Sequence, residues 1–235
     1  MTPIELAVVM PIYNEAPNIE TVLGEWMGCF GLLDVPYRVL ALNDGSCDST
    51  AAVLNTLQNC HSAQMRVINK SNSGHGQTCR AGYEMAIEES APWIFQIDSD
   101  GQCDPQFFPQ FWNSRNQHDC IFGERKTRDD GMARVFVSFC CRILVWIWTG
   151  AYLQDPNVPY RLMRRDALQR ALRIIPPDLD VQNIALSLAL KRDPTVRWHL
   201  IPIHFRDRQG GTNSIDLRKI VSMGWQMLRD LKRVR

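Results

Sequence analysis

A chain of 235 residues is long enough to bury one sizeable α/β core. Its 45% hydrophobic and 22% charged residues exclude a disordered or fibrous protein, and a formal net charge of +1 leaves no basic excess for bulk nucleic-acid binding. Eight cysteines show neither a C-x-x-C pair nor zinc-like spacing; they predict reduced, mostly buried thiols, with Cys140 and Cys141 adjacent in an apolar run.

Leu6–Ile12 is an apolar run that reads as a first strand. Tyr13-Asn14-Glu15-Ala16-Pro17-Asn18 turns it into a helix reaching about Cys29, with Asn14 or Asn18 placed to cap it. The chain enters this strand without a signal peptide, which predicts a cytoplasmic protein. Tyr37–Leu42 is a second strand, ending in Asn43-Asp44-Gly45-Ser46 before a helix over about Ser49–Cys60, and Met65–Asn69 is a third. Asn72-Ser73-Gly74-His75-Gly76-Gln77 then opens a helix that reaches about Glu89. Its G-x-G lacks the third glycine and the acidic partner of a dinucleotide fingerprint, which counts against a dehydrogenase. His75 is assigned no role.

Trp93–Ile97 is an almost unbroken apolar, β-favouring run, expected as a central strand buried on both faces. It ends in Asp98-Ser99-Asp100-Gly101-Gln102, with Asp104-Pro105 following. Two carboxylates at the end of a buried strand repel each other and cost solvation energy unless a cation compensates. Mg²⁺ or Mn²⁺ takes such oxygen ligands, and ligands of open α/β sheets sit at the carboxyl ends of the strands. The plainer alternative is a solvated turn with Asp104 as a helix cap. The strand–helix alternation up to this point predicts a mainly parallel, Rossmann-like sheet flanked by helices, with right-handed crossovers.

After Asp104 a helix is expected over about Pro105–Arg115 and a short strand over Cys120–Gly123. Glu124–Arg134 is polar, with Arg125, Lys126, Arg128 and Arg134. Val135–Leu153 is strongly apolar and close to the roughly 20 residues of a membrane span. Arg142 near its middle would cost about 2.5–3.5 kcal/mol on insertion, so a helix partly buried in the domain and partly at an interface is expected. Val158–Met163 reads as a strand, Asp166–Leu172 and Val181–Lys191 as helices, Arg197–Phe205 as a strand and Arg208–Ser214 as a glycine-rich loop. Ile215–Arg235 closes the chain as a basic amphipathic helix: Ile220, Met223, Met227 and Leu231 share one side, with Trp225 beside them and Arg218, Lys219, Arg229, Lys232, Arg233 and Arg235 around it. That pattern suits either packing on its own domain or an anionic membrane surface, so a peripheral position on the cytoplasmic face is an expectation.

Four motifs in this order, Val9-Met10-Pro11-Ile12-Tyr13-Asn14-Glu15, Asn43-Asp44-Gly45-Ser46-x-Asp48-x-Thr50, Asn72-x-Gly74-x-Gly76 and Asp98-x-Asp100-x-Gln102, resemble the family-2 inverting glycosyltransferases of GT-A fold. The resemblance extends to the dolichyl- and polyprenyl-phosphate sugar synthases through Asp155-(four residues)-Tyr160-Arg161-Leu162 and Ile201-Pro202-Ile203-x-Phe205-x-x-Arg208-x-x-Gly211. It implies a catalytic domain over residues 1–214, with a nucleotide-binding half to about 104 and an acceptor half beyond it, and the amphipathic helix as an appendage. It implies a nucleotide-sugar donor, UDP- or GDP-linked, contacted by Pro11, Tyr13, Asn14, Glu15, Asp44, Asp98 and Ser99. Asp98, Asp100 and Gln102 would hold Mg²⁺ or Mn²⁺ and the diphosphate, while Arg125, Arg134 and Arg208 would face the acceptor phosphate and donor diphosphate.

Two departures stand out. Gly211 is followed by Thr212-Asn213-Ser214 where the family usually continues with Ser-Lys, so the phosphate-binding lysine is missing at Ser214, and Asn43 replaces the first aspartate of Asp-Asp-Gly-Ser. A phosphate acceptor is already ionised near neutral pH and needs little help from a base, whereas a hydroxyl acceptor needs a carboxylate. Asp155 is the first candidate for that carboxylate, with Asp178 and Asp180 as second choices whose competing role is helix capping. Asp100, Asp155 and Arg208 are thus the catalytic expectation; transfer to a glycan or other hydroxyl, or a silent nucleotide-sugar-binding subunit, are the alternatives.

Overall fold

The structure, a computed structural model, describes residues 4–125, 155, 157–179 and 182–206. Lys126, Arg128, Arg134, the apolar stretch 135–153, Asp180, Arg208, Gly211, Ser214 and the basic segment 215–235 lie outside the described residues.

Seven strands form one sheet: β1 (Leu6–Ile12), β2 (Tyr37–Asp44), β3 (Met65–Lys70), β4 (Trp93–Ile97), β5 (Cys120–Arg125), β6 (Tyr160–Arg164) and β7 (Trp198–Ile203). Their order is β3-β2-β1-β4-β6-β5-β7. Among the described strands only β6 runs against its neighbours, and the other strand pairings are parallel. The helices are α1 (Ile19–Leu32), α2 (Thr50–Cys60), α3 (His75–Glu88), α4 (Phe108–Ser114), α5 (Arg165–Ile174) and α6 (Gln182–Arg192). Reversal of the strand order after β1 leaves the carboxyl ends of β1, β2 and β4 side by side, where ligands of doubly wound sheets lie.

The two faces of the sheet are covered differently. On one, Trp26 and Phe30 of α1 pack with Phe95 of β4, Phe108 of α4 and Tyr160 of β6, the ring centroids of the Trp26, Phe95 and Tyr160 contacts lying 5.0–5.7 Å apart. Aromatic packing of this kind contributes about 0.5–1.5 kcal/mol per pair beyond area burial. On the other, α3 lies directly on β1 and β2. Gly82 makes that approach possible, because a Cβ there would stand 2.4 Å from Val9 Cγ1 and 3.0 Å from Leu42 Cδ1. All seven residues of β1 are buried, so the central strand region is apolar on both sides, as the runs in the sequence imply.

Several boundaries and local details differ from the sequence reading. The helix expected over Pro105–Arg115 is a 3₁₀ turn, Pro105–Phe107, leading into α4, and Asp104 Oδ1 caps the turn by accepting from the Gln106 amide at 2.9 Å. Asn18 occupies the cap position of α1 but its side chain makes no capping bond. Asn14 is not a cap either; it sits at φ 55° with its side-chain oxygen on the Cys47 amide. Both β2 and β5 run two residues further than expected because their neighbours continue to pair with them, Asp44 opposite Lys70 and Arg125 opposite Ile203. The six described cysteines are free, but only Cys79, Cys103 and Cys120 are buried, and Cys47 and Cys60 are exposed. Burial pushes the Cys103 and Cys120 thiols up, which keeps them protonated.

Candidate active site

The carboxyl ends of β1, β2 and β4 and the first turn of α3 enclose a cleft of about 240 Å³. Pro11, Tyr13, Glu15, Asp44, Asp98 and Ser99, all expected to contact the nucleotide, line it together with Asp100, expected at the metal. Tyr13 holds its ring 48% exposed at the rim. Behind the rim the two first crossover loops are tied together. Asn14 N donates to Ser46 Oγ at 3.0 Å, Glu15 N to Thr50 Oγ1 at 2.9 Å and Ala16 N to Asp48 Oδ2 at 3.2 Å. Asp48 also accepts from Thr50 N at 3.0 Å, and these hydrogen bonds hold its carboxyl below the usual range against the opposing influence of burial, the largest single one. Asp48 and Thr50 of the motif are therefore loop-building residues. Gly45 is needed in the same turn: it sits at φ +70°, and a Cβ would meet Asn72 N at 2.7 Å.

Asp44 is 3% exposed and closely attended. Lys70 Nζ pairs with Oδ1, which also accepts from Ser73 N at 2.9 Å, while Oδ2 accepts from Gly74 N at 3.0 Å. Burial is the largest single influence and opposes ionisation, but the bonds from Lys70, Ser73 and Thr78 outweigh it and hold the Asp44 carboxyl below its ordinary value. Lys70, one step beyond the third strand as the sequence bounds it, went unremarked there because a single lysine at a strand end carries no pattern.

The end of β4 is different. Asp98 Oδ1 accepts from Gln96 Nε2 at 3.1 Å and lies 3.6 Å from His75 Nε2. Burial pushes the Asp98 carboxyl up, and the like charge of Asp100 pushes it further, against the pull of His75, Arg161 and Arg125. Asp100 Oδ1 accepts from the Gln102 amide at 3.1 Å, a turn bond that shapes the loop. Gln102 Nε2 faces the Arg206 carbonyl at 3.4 Å. A carboxylate held in a site that disfavours its charge, with a second one residue away, suits a hard divalent cation that keeps one or two carboxylates and takes its other oxygens from phosphate. Among the described residues no group of three or more His, Cys, Asp or Glu side chains is arranged to hold a metal ion.

His75, given no role by sequence reasoning, is the first residue of α3 and stands in this cleft. Its Nε2 is 3.5 Å from Cys79 Sγ and 3.3 Å from Asn183 Nδ2. The Cys79 sulfur, with the Asp98 carboxylate behind it, pushes the imidazole up from its ordinary range. The only signal in the sequence was its place between two glycines at a helix start.

Arg125 and Asp155, expected to face acceptor phosphate and acceptor hydroxyl respectively, are brought together. Arg125 Nε and Nη2 donate to Asp155 Oδ2 and Oδ1 at 2.5 and 2.6 Å, a two-pronged pair, and the guanidinium carbon lies 5.3 Å from the centre of the Phe205 ring. Asp178 is exposed in the turn before α6. Behind the β4 loop, Phe205 bridges to Cys103, and Arg206 forks between Asp104 Oδ1 at 2.9 Å and Glu25 Oε2 at 2.6 Å. The segment leading towards Arg208 is thereby fastened to the Asp98–Gln102 loop.

The profile of Glycosyl transferase family 2 matches residues 7–172, from β1 through nearly all of α5. Among named proteins, undecaprenyl-phosphate 4-deoxy-4-formamido-L-arabinose transferase of Yersinia enterocolitica is 22% identical over 226 residues, covering 95% of this chain and 66% of that protein. Its counterpart from Sodalis glossinidius is 24% identical, with coverage of 95% and 67%. The chain thus spans about two thirds of the length of the curated relatives it matches. Among solved structures, glucosyl-3-phosphoglycerate synthase from Mycobacterium tuberculosis in complex with Mn²⁺, UDP-glucose and glycerol 3-phosphate superposes with a TM-score of 0.65 at 19% identity, covering 98% of this chain and 80% of that one. The same enzyme with phosphoglyceric acid gives a TM-score of 0.67 at 20% identity and the same coverage. At such identities the superposition speaks for the fold, a GT-A sheet with its flanking helices. A family match that takes in every motif around the cleft shows that the chain belongs to glycosyl transferase family 2.

Proposed function

We propose that this protein is a metal-dependent inverting glycosyltransferase that moves a sugar from a nucleotide-sugar donor to a polyprenyl-phosphate-type acceptor. The observation that carries the reading is the Asp98–Asp100 pair at the end of the buried β4, inside a cleft rimmed by Tyr13. Its supports are a solved neighbour named as a complex with Mn²⁺ and UDP-glucose and relatives named for undecaprenyl phosphate. Tyr13 and Pro11 would flank the base, Asn14, Glu15, Asp44 and Ser99 the nucleoside, and Asp98, Asp100 and Gln102 would hold Mg²⁺ or Mn²⁺, which supplies positive charge beside the diphosphate when bound. Arg208 would add a fixed cation for the leaving diphosphate.

Arg125 presents a planar fork that fits phosphate as well as it fits Asp155. An acceptor phosphate would take the guanidinium from Asp155 and, already ionised, would attack the anomeric carbon without a base. Arg134 would assist it, and the basic segment 215–235 would keep the site near anionic lipid. A second reading has a specific support: the two-pronged pair with Arg125 fixes the orientation of the Asp155 carboxyl group, the kind of group a hydroxyl acceptor would need as base, and the solved neighbour is named as a complex with glycerol 3-phosphate.

The test is a screen of UDP- and GDP-sugars for released nucleoside diphosphate, with and without polyprenyl phosphate and with and without chelator. Release should require both the lipid phosphate and a divalent cation, and Arg125→Ala should raise the acceptor KM at least about tenfold while the donor KM holds. Release driven by small hydroxyl acceptors alone would select the second reading, and release in excess chelator would remove the metal.

A further inference from the structure

Gln96 lies between Phe95 and Ile97 in the centre of β4 and is completely buried. The strand's alternation turns it away from the aromatic face that takes Phe95, towards α3 and α6. An amide in such a place loses water from both of its polar atoms and is worth keeping only where both find partners. Here one does not: Nε2 donates to Asp98 Oδ1 at 3.1 Å, whereas Oε1 makes no hydrogen bond among the described residues. The nearest strong donor in register is Arg161, directly opposite on β6, and its described hydrogen bonds go to the Val158 and Asn183 carbonyls.

For folding alone, a leucine or methionine would serve this position better. The surviving bond of Gln96 is to Asp98, for which it is the one side-chain hydrogen bond among the described residues. Asp98 has no lysine such as Lys70 gives Asp44; its ion-pair partner is His75, 3.6 Å from the same oxygen, Oδ1. We propose that Gln96 is a positioning residue for Asp98: it fixes Oδ1 from inside the core, sets the rotamer of the side chain and turns Oδ2 towards the ligand. The inference rests on the reading of Asp98 as a carboxylate that holds a divalent cation with the donor diphosphate.

Gln96→Met and Gln96→Leu in the full chain test it by two measurements. One is Mn²⁺ affinity in the presence of UDP, repeated with GDP; the other is the metal-free melting temperature. Removal of a group that orients a metal ligand typically weakens affinity about 10–100-fold, so both variants should bind Mn²⁺ at least about tenfold more weakly. Their melting temperatures should equal or exceed that of wild type, because a half-satisfied amide has gone. Stability and affinity then move in opposite directions, which a packing role does not produce. A fall in melting temperature in both variants overturns the inference, since Gln96 is then a structural residue. Unchanged Mn²⁺ affinity overturns it too, and Asp98→Asn separates the causes. If Asp98→Asn abolishes binding while the Gln96 variants do not, only the positioning role fails. If Asp98→Asn also binds normally, the assignment of the cation to Asp98 fails with it.

Discussion

The ends of β2 and β4 present the same sequence event, an apolar parallel strand finishing in aspartate and glycine, and the fold treats them in opposite ways. Burial opposes ionisation at both and is the largest single influence on each, yet the Asp44 carboxyl is held low and that of Asp98 is pushed up. The number and charge of the donors decide: a lysine and two loop amides surround Asp44, whereas Asp98 has one amide, a histidine at 3.6 Å and a second carboxylate beside it. The β2 end has its charge answered within the protein, whereas on the proposed reading the β4 end would take a cation.

The largest effect should come from the β4 end. Asp100→Asn and Asp98→Asn are expected to lower donor turnover at least about 100-fold, the scale of one lost electrostatic contact in a transition state. Neither should lower the melting temperature, and Asp98→Asn should raise it by relieving an unfavourable charge. Turnover equal to wild type for both would erase the distinction between the two strand ends.

At the compensated end the loss should fall on stability. Asp44→Asn removes the charge from three hydrogen bonds and should cost about 2 kcal/mol in denaturant titrations at pH 7. The folded Asp44 carboxyl titrates below its unfolded value of about 3.9. Its contribution is therefore full above about pH 3.9 and is lost as the pH falls from there through the folded value. The gap between wild type and variant should close below pH 4; a gap constant down to pH 3 would mean that lost packing, not charge, separates them.

The smallest effect sharpens the comparison from behind. Arg206 braces the β4 loop through Asp104 and Glu25, but its side chain is 35% exposed and that of Glu25 is 40% exposed. Solvent screens such pairs, so Arg206→Ala should cost less than about 1 kcal/mol, and less again in high salt. A loss near that of Asp44→Asn would show that the β4 loop is held chiefly by this fork.

Much of this architecture was legible in the amino-acid sequence because its signals are local. Apolar runs such as Leu6–Ile12 and Trp93–Ile97 must be buried wherever they lie, and the helical spacing between them leaves few topologies. Carboxylates at strand ends announce themselves for the same reason: Asp44, Asp98 and Asp100 interrupt a pattern that a residue or two earlier is apolar. The family motifs, too, are short runs. The helix cap was misread at Asn14 because its true partner, the Cys47 amide, is 33 residues away.

By itself, then, the sequence determined the strands, the parallel sheet and the acidic cleft at its carboxyl end, all consequences of apolar periodicity and its interruption. Only the tertiary structure decided which charge answers which. Lys70 reaches Asp44 across 26 residues and Arg125 reaches Asp155 across 30. His75 comes to Asp98 only because α3 crosses over β1, and Gln96 is left half-satisfied by its neighbours on β6. Polar pairing depends on distances of a few ångströms between segments remote in the chain, and no local pattern in the sequence records them.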